Sequence, residues 1–489
     1  MGESQYTLFQ PEFNRSLRVE ARPERLTSDA GALLLRELMD RSGLSGLLSE
    51  HVVDRRDGCR ITYPLLDLLR TRLLLDAQGY PDQLDADLLR HDPVLRFSVS
   101  SRRGLRPLTG AGPREPIGLA SQPTLSRLQA RLGEAENLQG LDTVLFGSAT
   151  CLSPGRAHRR ERTLDLDSLP IEVHGHQPGS AYNGHYRCRC YHALVLRDEE
   201  GFYLGAQLRE GSAHTADGAL DFALPILDEE LAGSERLWLR IDAGFPGPEF
   251  LAGLEARPSM RYVARLRSNV RLERLAAPFL RRPPGRPPVE GRIWFHELLY
   301  RARSWEKPRR VVLVVLERPG EQQHLFLDHF FLVTNASAEE ESAEALLRRY
   351  RGRGGAEKDF GAWQNALTLH LSSTPRPKTH YRGERVRTDY EVPDSFRANE
   401  ARLLLSLVAA NLMHAAALLL ARRKTTCWSR ERFRALVLKA AGRVLAGGRR
   451  ITVVIAAERA PLWNALWQEL VQLHPARGSP ALQALPTLA

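Results

Sequence analysis

The hydrophobic period of this chain changes near residue 160, and that change restricts the fold more than any other feature. Before it, residues 26–145 place apolar side chains at three-to-four spacing, as in Gly31-Ala-Leu-Leu-Leu-Arg-Glu-Leu-Met39 and Leu65-Leu-Asp-Leu-Leu-Arg-Thr-Arg-Leu-Leu-Leu75. That spacing is the mark of helices burying one stripe. After it, Thr163-Leu-Asp-Leu-Asp167, Tyr191–Leu196, Phe202–Leu208, Arg236–Asp242 and Tyr262–Leu266 alternate as strands do, with helical pattern at Asp221–Leu231 and about Pro248–Ala256. Strands interleaved with helices predict an α/β chain with a central mixed sheet.

At 489 residues the chain exceeds one ordinary core. The pattern divides it into a helical N-terminal region at 1–150, the first part of the sheet core at 160–260, and a β-rich insertion at 261–337. The insertion contains a hairpin of Arg310–Glu317 and His324–Thr334 about Arg318-Pro-Gly-Glu321. A helical segment at 338–372 and a helical C-terminal region at 390–475 follow, separated by a Pro-, Gly- and Arg-rich loop. Gly352, Gly354 and Gly355 each disfavour a helix interior by about 1 kcal/mol, which predicts that the 338–372 helix begins only near Ala356.

Leu403–Ala421 runs nineteen residues without a charge, long enough to span a bilayer. Its Ser406, Asn411 and His414, its alanine content and the polar remainder of the chain predict a buried core helix and no membrane partner.

Lys plus Arg exceed Asp plus Glu, 69 against 58, for a net charge of +11. The excess gathers at 156–162, 301–310, 348–353 and 422–424. An anionic partner follows, with nucleic acid first, because each neutralised phosphate releases counterions. Five scattered cysteines do not form a disulfide framework, and no export signal is visible, so a cytoplasmic, nucleoid-associated protein is expected. Cys188-Arg-Cys190 and His174-Gly-His176 have metal-like spacing but no further ligand spaced to complete a zinc site.

Three acid-bearing stretches stand apart. In Leu164-Asp-Leu-Asp167 a period of two sends the leucines to one face and Asp165 and Asp167 to the other. Asp242 ends a strand ahead of a turn, where ligand sites of open sheets lie. In Tyr350-Arg-Gly-Arg353-Gly-Gly-Ala-Glu357, Tyr350, Arg353, Glu357 and the later Gln364 fall within about 60° on a helical wheel. A fourth stretch, Ser121-Gln-Pro-Thr-Leu-Ser-Arg127, has a helix-start signature. Its helix reads equally as an amphipathic packing helix or as the second helix of a helix-turn-helix that exposes Arg127 to DNA.

With Leu26-Thr-Ser-Asp-Ala-Gly-Ala32, His174–Gln177, Tyr182-Asn-Gly-His-Tyr186, Arg240–Phe245 and Phe396–Leu403, these stretches resemble, in order and spacing, the DDE-domain group 1 transposases of bacterial insertion sequences. These lie within a superfamily marked by Y-x2-R-x3-E-x6-K, and the resemblance covers nearly the whole chain. It implies a ribonuclease H-like core with a β-rich insertion before the third acid. By position Asp167, Asp242 and Glu357 match the catalytic, metal-holding acids, with Asp165 as the fallback first acid. Tyr350 and Arg353 match the signature's tyrosine and arginine, and these two with Gln364 and Arg127 are the expected DNA-binding residues.

The resemblance further implies two Mg2+ ions, replaceable by Mn2+, which supply an activated nucleophile and neutralise phosphate charge. Its partners are double-stranded DNA, both terminal inverted repeats and target, bound by a homodimer. Two positions depart from the pattern: Gln364 stands in place of Lys, and Leu169 in place of Thr. The first keeps open a second reading, a catalytically weakened, transposase-derived DNA-binding protein.

Overall fold

The computed structural model describes residues 6–110, 117–153, 155–156, 159–174, 177–282, 290–317, 327–354, 363, 369, 371, 378–382, 385–389, 395–424, 426, 428–447 and 450–473. It is a mixed α/β structure whose contacts gather into two units. One comprises 1–41, 54–125 and 416–474, the other 42–53, 126–415 and 475–489. Neither unit is continuous in sequence.

The larger unit is built on a nine-stranded mixed sheet among the described residues. Its strands are Glu161–Glu172 (β1), Ala181–Asn183 (β2), Cys188–Asp198 (β3), Tyr203–Gln207 (β4), Arg236–Ile241 (β5), Met260–Leu266 (β6), Arg292–Tyr300 (β7), Arg309–Glu317 (β8) and Asp328–Thr334 (β9). The order across the sheet is β7-β8-β9-β6-β5-β1-β3-β2, with β4 also on β3. β1, β5 and β6 run parallel, and the other pairs are antiparallel. Helices Ala219–Ala232 and Pro248–Glu255 make the connections that parallel neighbours require.

β8 and β9 form the anticipated antiparallel pair, although residues 318–326 between them lie outside the described ones. The β-rich segment does not stand apart from the core: β9 pairs with β6, so β7, β8 and β9 extend the same sheet. The sequence reading leaves β7 unassigned, because Arg292-Ile-Trp-Phe-His-Glu-Leu-Leu-Tyr300 runs apolar residues together and blurs the period of two.

Both faces of the central strands are covered. In β5, Leu237, Leu239 and Ile241 are buried on one side and Trp238 and Arg240 on the other. The latter side packs Trp238, Val263, Val312, Val314 and Leu332 against Leu346 and Leu347 of helix Ala343–Arg351. A helix therefore precedes the glycines, while the expected start near Ala356 lies outside the described residues. It begins at Ala343, where Ser342 Oγ accepts the Ala345 N–H at 3.2 Å, and ends at a turn on Gly352, after which Arg353 and Gly354 are helical again.

The nineteen-residue apolar run lies in helix Ser395–Arg423, whose most apolar window is 89% buried. Its polar groups explain how it tolerates burial. Asn411 bonds the Tyr203 N–H and C=O of β4 at 2.8 and 2.9 Å, and donates to Ser148 Oγ at 2.8 Å. The His414 ring lies 2.7 Å from the Glu200 carbonyl. In helix Gln122–Leu132 the inner face holds buried Leu128 and Leu132, and Gln129 donates to the Ala398 carbonyl at 3.2 Å. The packing role of that helix is thereby met.

The smaller unit joins the two ends of the chain. Leu26–Thr27, Gly442–Ala446 and Ile451–Ile455 form a three-stranded sheet. Beside it Asp29, fully buried, accepts from Tyr80 Oη at 2.9 Å and Lys439 Nζ at 2.7 Å. Gly31 is required by close approach, since a Cβ there would lie 2.3 Å from Leu438 Cα. The Leu26–Ala32 stretch therefore works as a structural clasp between N- and C-terminal segments.

Candidate active site

Strand register assembles the site. β1 pairs with β5 so that Asp165 faces Arg240, and β5 pairs with β6 so that Ile241 faces Ala264. Carried one or two residues onward, the same register brings Asp167, Asp242 and Arg265 into one row across three adjacent strands. Neighbouring strands lie about 4.8 Å apart, and partners in register share a face. That face is the one packed against helix Ala343–Arg351.

Asp165 shares the face but is neutralised within it. It is fully buried, and Arg240 donates through Nε and Nη2 to its two oxygens, each at 2.7 Å. Arg197 Nε stands 3.6 Å away. Arg240 and Arg197 thus cover the first of the two carboxylates that share this face of β1. Arg240 Nη1 also donates to the Arg349 carbonyl at 3.2 Å, tying the helix to the sheet.

Asp167 is nearer the surface, with Oδ1 accepting the Ser168 N–H at 2.9 Å and Oδ2 paired with Arg353 Nη2 at 2.8 Å. Asp242 is partly exposed, and its Oδ1 accepts the Gly244 N–H at 2.7 Å, which fixes the turn leaving β5. Arg353 follows a one-residue turn at Gly352, where a Cβ would sit 2.1 Å from Arg240 Nη1 and force that guanidinium to shift.

Two tyrosines flank the acids. Burial raises the Tyr350 phenol above its ordinary pKa, against the pull of the nearby Arg353 and Arg265 guanidinium groups. Burial, and then the charges of Asp167 and Asp242, push the Tyr186 phenol up, with the Ser168 hydroxyl acting weakly the other way. Both phenols therefore stay protonated hydrogen-bonding groups near neutral pH. Tyr186 sits on a turn held by Asn183, whose side-chain oxygen accepts the His185 N–H at 3.0 Å, and its ring meets His192 edge-on.

The site thus gathers Asp167, Asp242, Tyr350 and Arg353. Glu357 and Gln364 lie outside the described residues, as does His176. Arg127 is exposed on helix Gln122–Leu132, and His174 is exposed beyond the end of β1. Tyr186 and Arg265 receive no role from sequence reasoning. Tyr186 lay within a quoted motif, whereas Arg265 had no signal beyond its place at the end of an apolar strand.

Among the described residues no three His, Cys, Asp or Glu side chains gather to hold a metal. The donor chemistry nevertheless fits a hard divalent cation: two carboxylates bear on one tyrosine, and a guanidinium already stands as a positive charge at Asp167. A comparison with curated proteins gives no match. The model of the transposase DDE domain group 1 family matches residues 9–477, nearly the whole chain, and the chain belongs to that family.

Proposed function

We propose that this chain is a DNA transposase that cuts the ends of its insertion sequence and joins them to target DNA, using Asp167, Asp242 and Glu357. The observation that carries the reading is that the charges of Asp167 and Asp242, each two residues beyond the last pair of β1 and β5, both act on Tyr186. Family membership supports DNA as the partner. The parallel strands β1, β5 and β6 with antiparallel β3 support a ribonuclease H-like core.

The three carboxylates would hold two Mg2+ or Mn2+ ions, which when bound supply an activated hydroxyl nucleophile and neutralise charge at the phosphate. The chain's own groups orient the substrate. Arg353, released from Asp167, offers a guanidinium fork matched to a phosphate's oxygens. Tyr350 presents a neutral phenol near that arginine. In this reading residues 1–150, with Arg127, help bind the terminal inverted repeats, a homodimer forms on DNA, and the enzyme works at the nucleoid.

Cleavage of a labelled duplex carrying the element's end, with Mg2+ or Mn2+, tests the proposal. Nicking by the wild type that disappears in Asp242→Ala and Glu357→Ala is the expected result. Gln364 in place of the signature's lysine favours one other reading, a transposase-derived protein that binds DNA without cutting. Binding without nicking at any metal concentration would select it.

A further inference from the structure

We propose that Arg265 is a binding site for a DNA backbone phosphate next to the one that is cut, so that the acid row continues into a phosphate clamp. The inference rests on the proposed active site and extends it to a residue outside the family signature.

Position is the first argument. Ile241 faces Ala264 at the last pair of the two parallel strands, so Asp242 and Arg265 are the next residues beyond it, and Arg265 itself faces Leu332 of β9. It is therefore the next side chain along the row from the second acid, on the same face.

Availability is the second. Arg265 is exposed, and among the described residues it makes no ion pair, although Asp242 is its neighbour in register. Arginines close by are differently employed: Arg240 is spent on Asp165, Arg261 on Glu340 at 2.7 Å, and Arg349 on Glu161 at 3.0 Å. An exposed, unpaired guanidinium beside an acid site in a chain of charge +11 matches a polyanion crossing that site.

Preorganisation is the third. The Arg265 guanidinium carbon lies 5.3 Å from the Phe330 ring centre, a stacked placement that restrains the side chain and leaves its N–H edges for a ligand. Tyr350 lies close enough for the Arg265 charge to act on its phenol. The arginine is thus braced from the sheet, near the same phenol that Arg353 acts on. Together Arg353 at Asp167 and Arg265 beyond Asp242 bracket the acids. A strand running along the row would meet a cation on each side of its cut phosphate. Such a contact reads no base, so it adds affinity equally for end and unrelated sequences.

The test is duplex binding by the full chain in Ca2+, with an end duplex and a scrambled duplex of equal length, across a salt series. Arg265→Ala is expected to weaken both duplexes about tenfold and to lower the log–log salt slope by about 1, as loss of one phosphate contact does. Arg265→Lys should recover most of the slope but less of the affinity, because the planar fork and its stacking are lost. An unchanged slope in Arg265→Ala, with the variant's melting temperature equal to wild type, overturns the proposal. So does a loss confined to the end duplex, which would make Arg265 a base reader. Because the readout is binding, a wild type that never nicks sinks the cleavage reading while leaving this result standing on its own.

Discussion

Arg353 Nη2 stands 2.8 Å from Asp167 Oδ2, with the two side chains only 8% and 11% exposed, so a residue matched to the DNA-binding signature is bound to a carboxylate matched to the metal set. Asp167 Oδ1 is also engaged, by the Ser168 N–H. A cation approaching Asp167 without DNA must therefore displace a buried guanidinium. A phosphate that draws Arg353 away frees the carboxylate. Arg353→Ala is accordingly expected to bind Mn2+ about tenfold more tightly than wild type in the absence of DNA, a difference of about 1.4 kcal/mol, and to bind duplex more weakly. Titration calorimetry with Mn2+ measures the first. Equal or weaker Mn2+ binding by the variant would show that the pair does not compete with metal.

Asp165 and Asp242 separate stability from chemistry. Asp165 is fully buried and held by two bonds from Arg240, and removing one partner of a buried pair leaves the other charge unsatisfied. Asp165→Ala should destabilise the larger unit by about 3–5 kcal/mol. Asp242 is partly exposed and bonds only the Gly244 N–H among the described residues, so Asp242→Ala should lose about 1 kcal/mol while abolishing nicking. Urea denaturation of both variants decides between these roles. A stable but inactive Asp165→Ala would return Asp165 to the first-acid position.

The same pair shows how far the sequence was legible. Alternation in Leu164-Asp-Leu-Asp167 and in Arg236–Ile241 identified strands and the acids near their ends, because one-dimensional period reports which side chains share a face. It could not report register, and register is what puts Asp167, Asp242 and Arg265 in a row. Nor could it tell Asp165, held within the sheet by Arg240, from Asp167, paired with the signature's Arg353, since these partners come from other elements. Strand β7 was hidden by its run of apolar residues. The clasp between the chain's two ends at Asp29 and Lys439 depends on contacts 410 positions apart, which no local pattern encodes.

Gly352 offers a test in which two physical effects oppose each other. Helix propensity alone predicts that Gly352→Ala stabilises the end of helix Ala343–Arg351 by up to about 1 kcal/mol. The structure predicts the reverse, because the new Cβ would lie 2.1 Å from Arg240 Nη1, and that guanidinium is pinned to Asp165. Denaturation should show Gly352→Ala less stable than wild type by about 1–3 kcal/mol. Combined with Arg240→Ala, which removes the obstacle, the second substitution should add little further loss. Additive losses would mean that Gly352 serves another purpose.

His192 ties stability to pH. The ring is 3% exposed, with Nδ1 2.8 Å from the Ala213 carbonyl, and burial, helped by the nearby Arg209 charge, lowers its pKa below the ordinary 6.5. Between the lowered folded value and 6.5 the unfolded chain takes up a proton that the folded ring refuses. The stability this residue contributes is therefore present above 6.5 and is lost as pH falls through that window, with a slope of at most about 1.4 kcal/mol per pH unit. His192→Asn keeps a donor for Ala213 but cannot titrate. Chemical denaturation at pH 7 and pH 5 should show a smaller drop for the variant than for wild type. Identical drops would mean that other histidines carry the acid sensitivity, and that the ring beside Tyr186 is not held neutral by its burial.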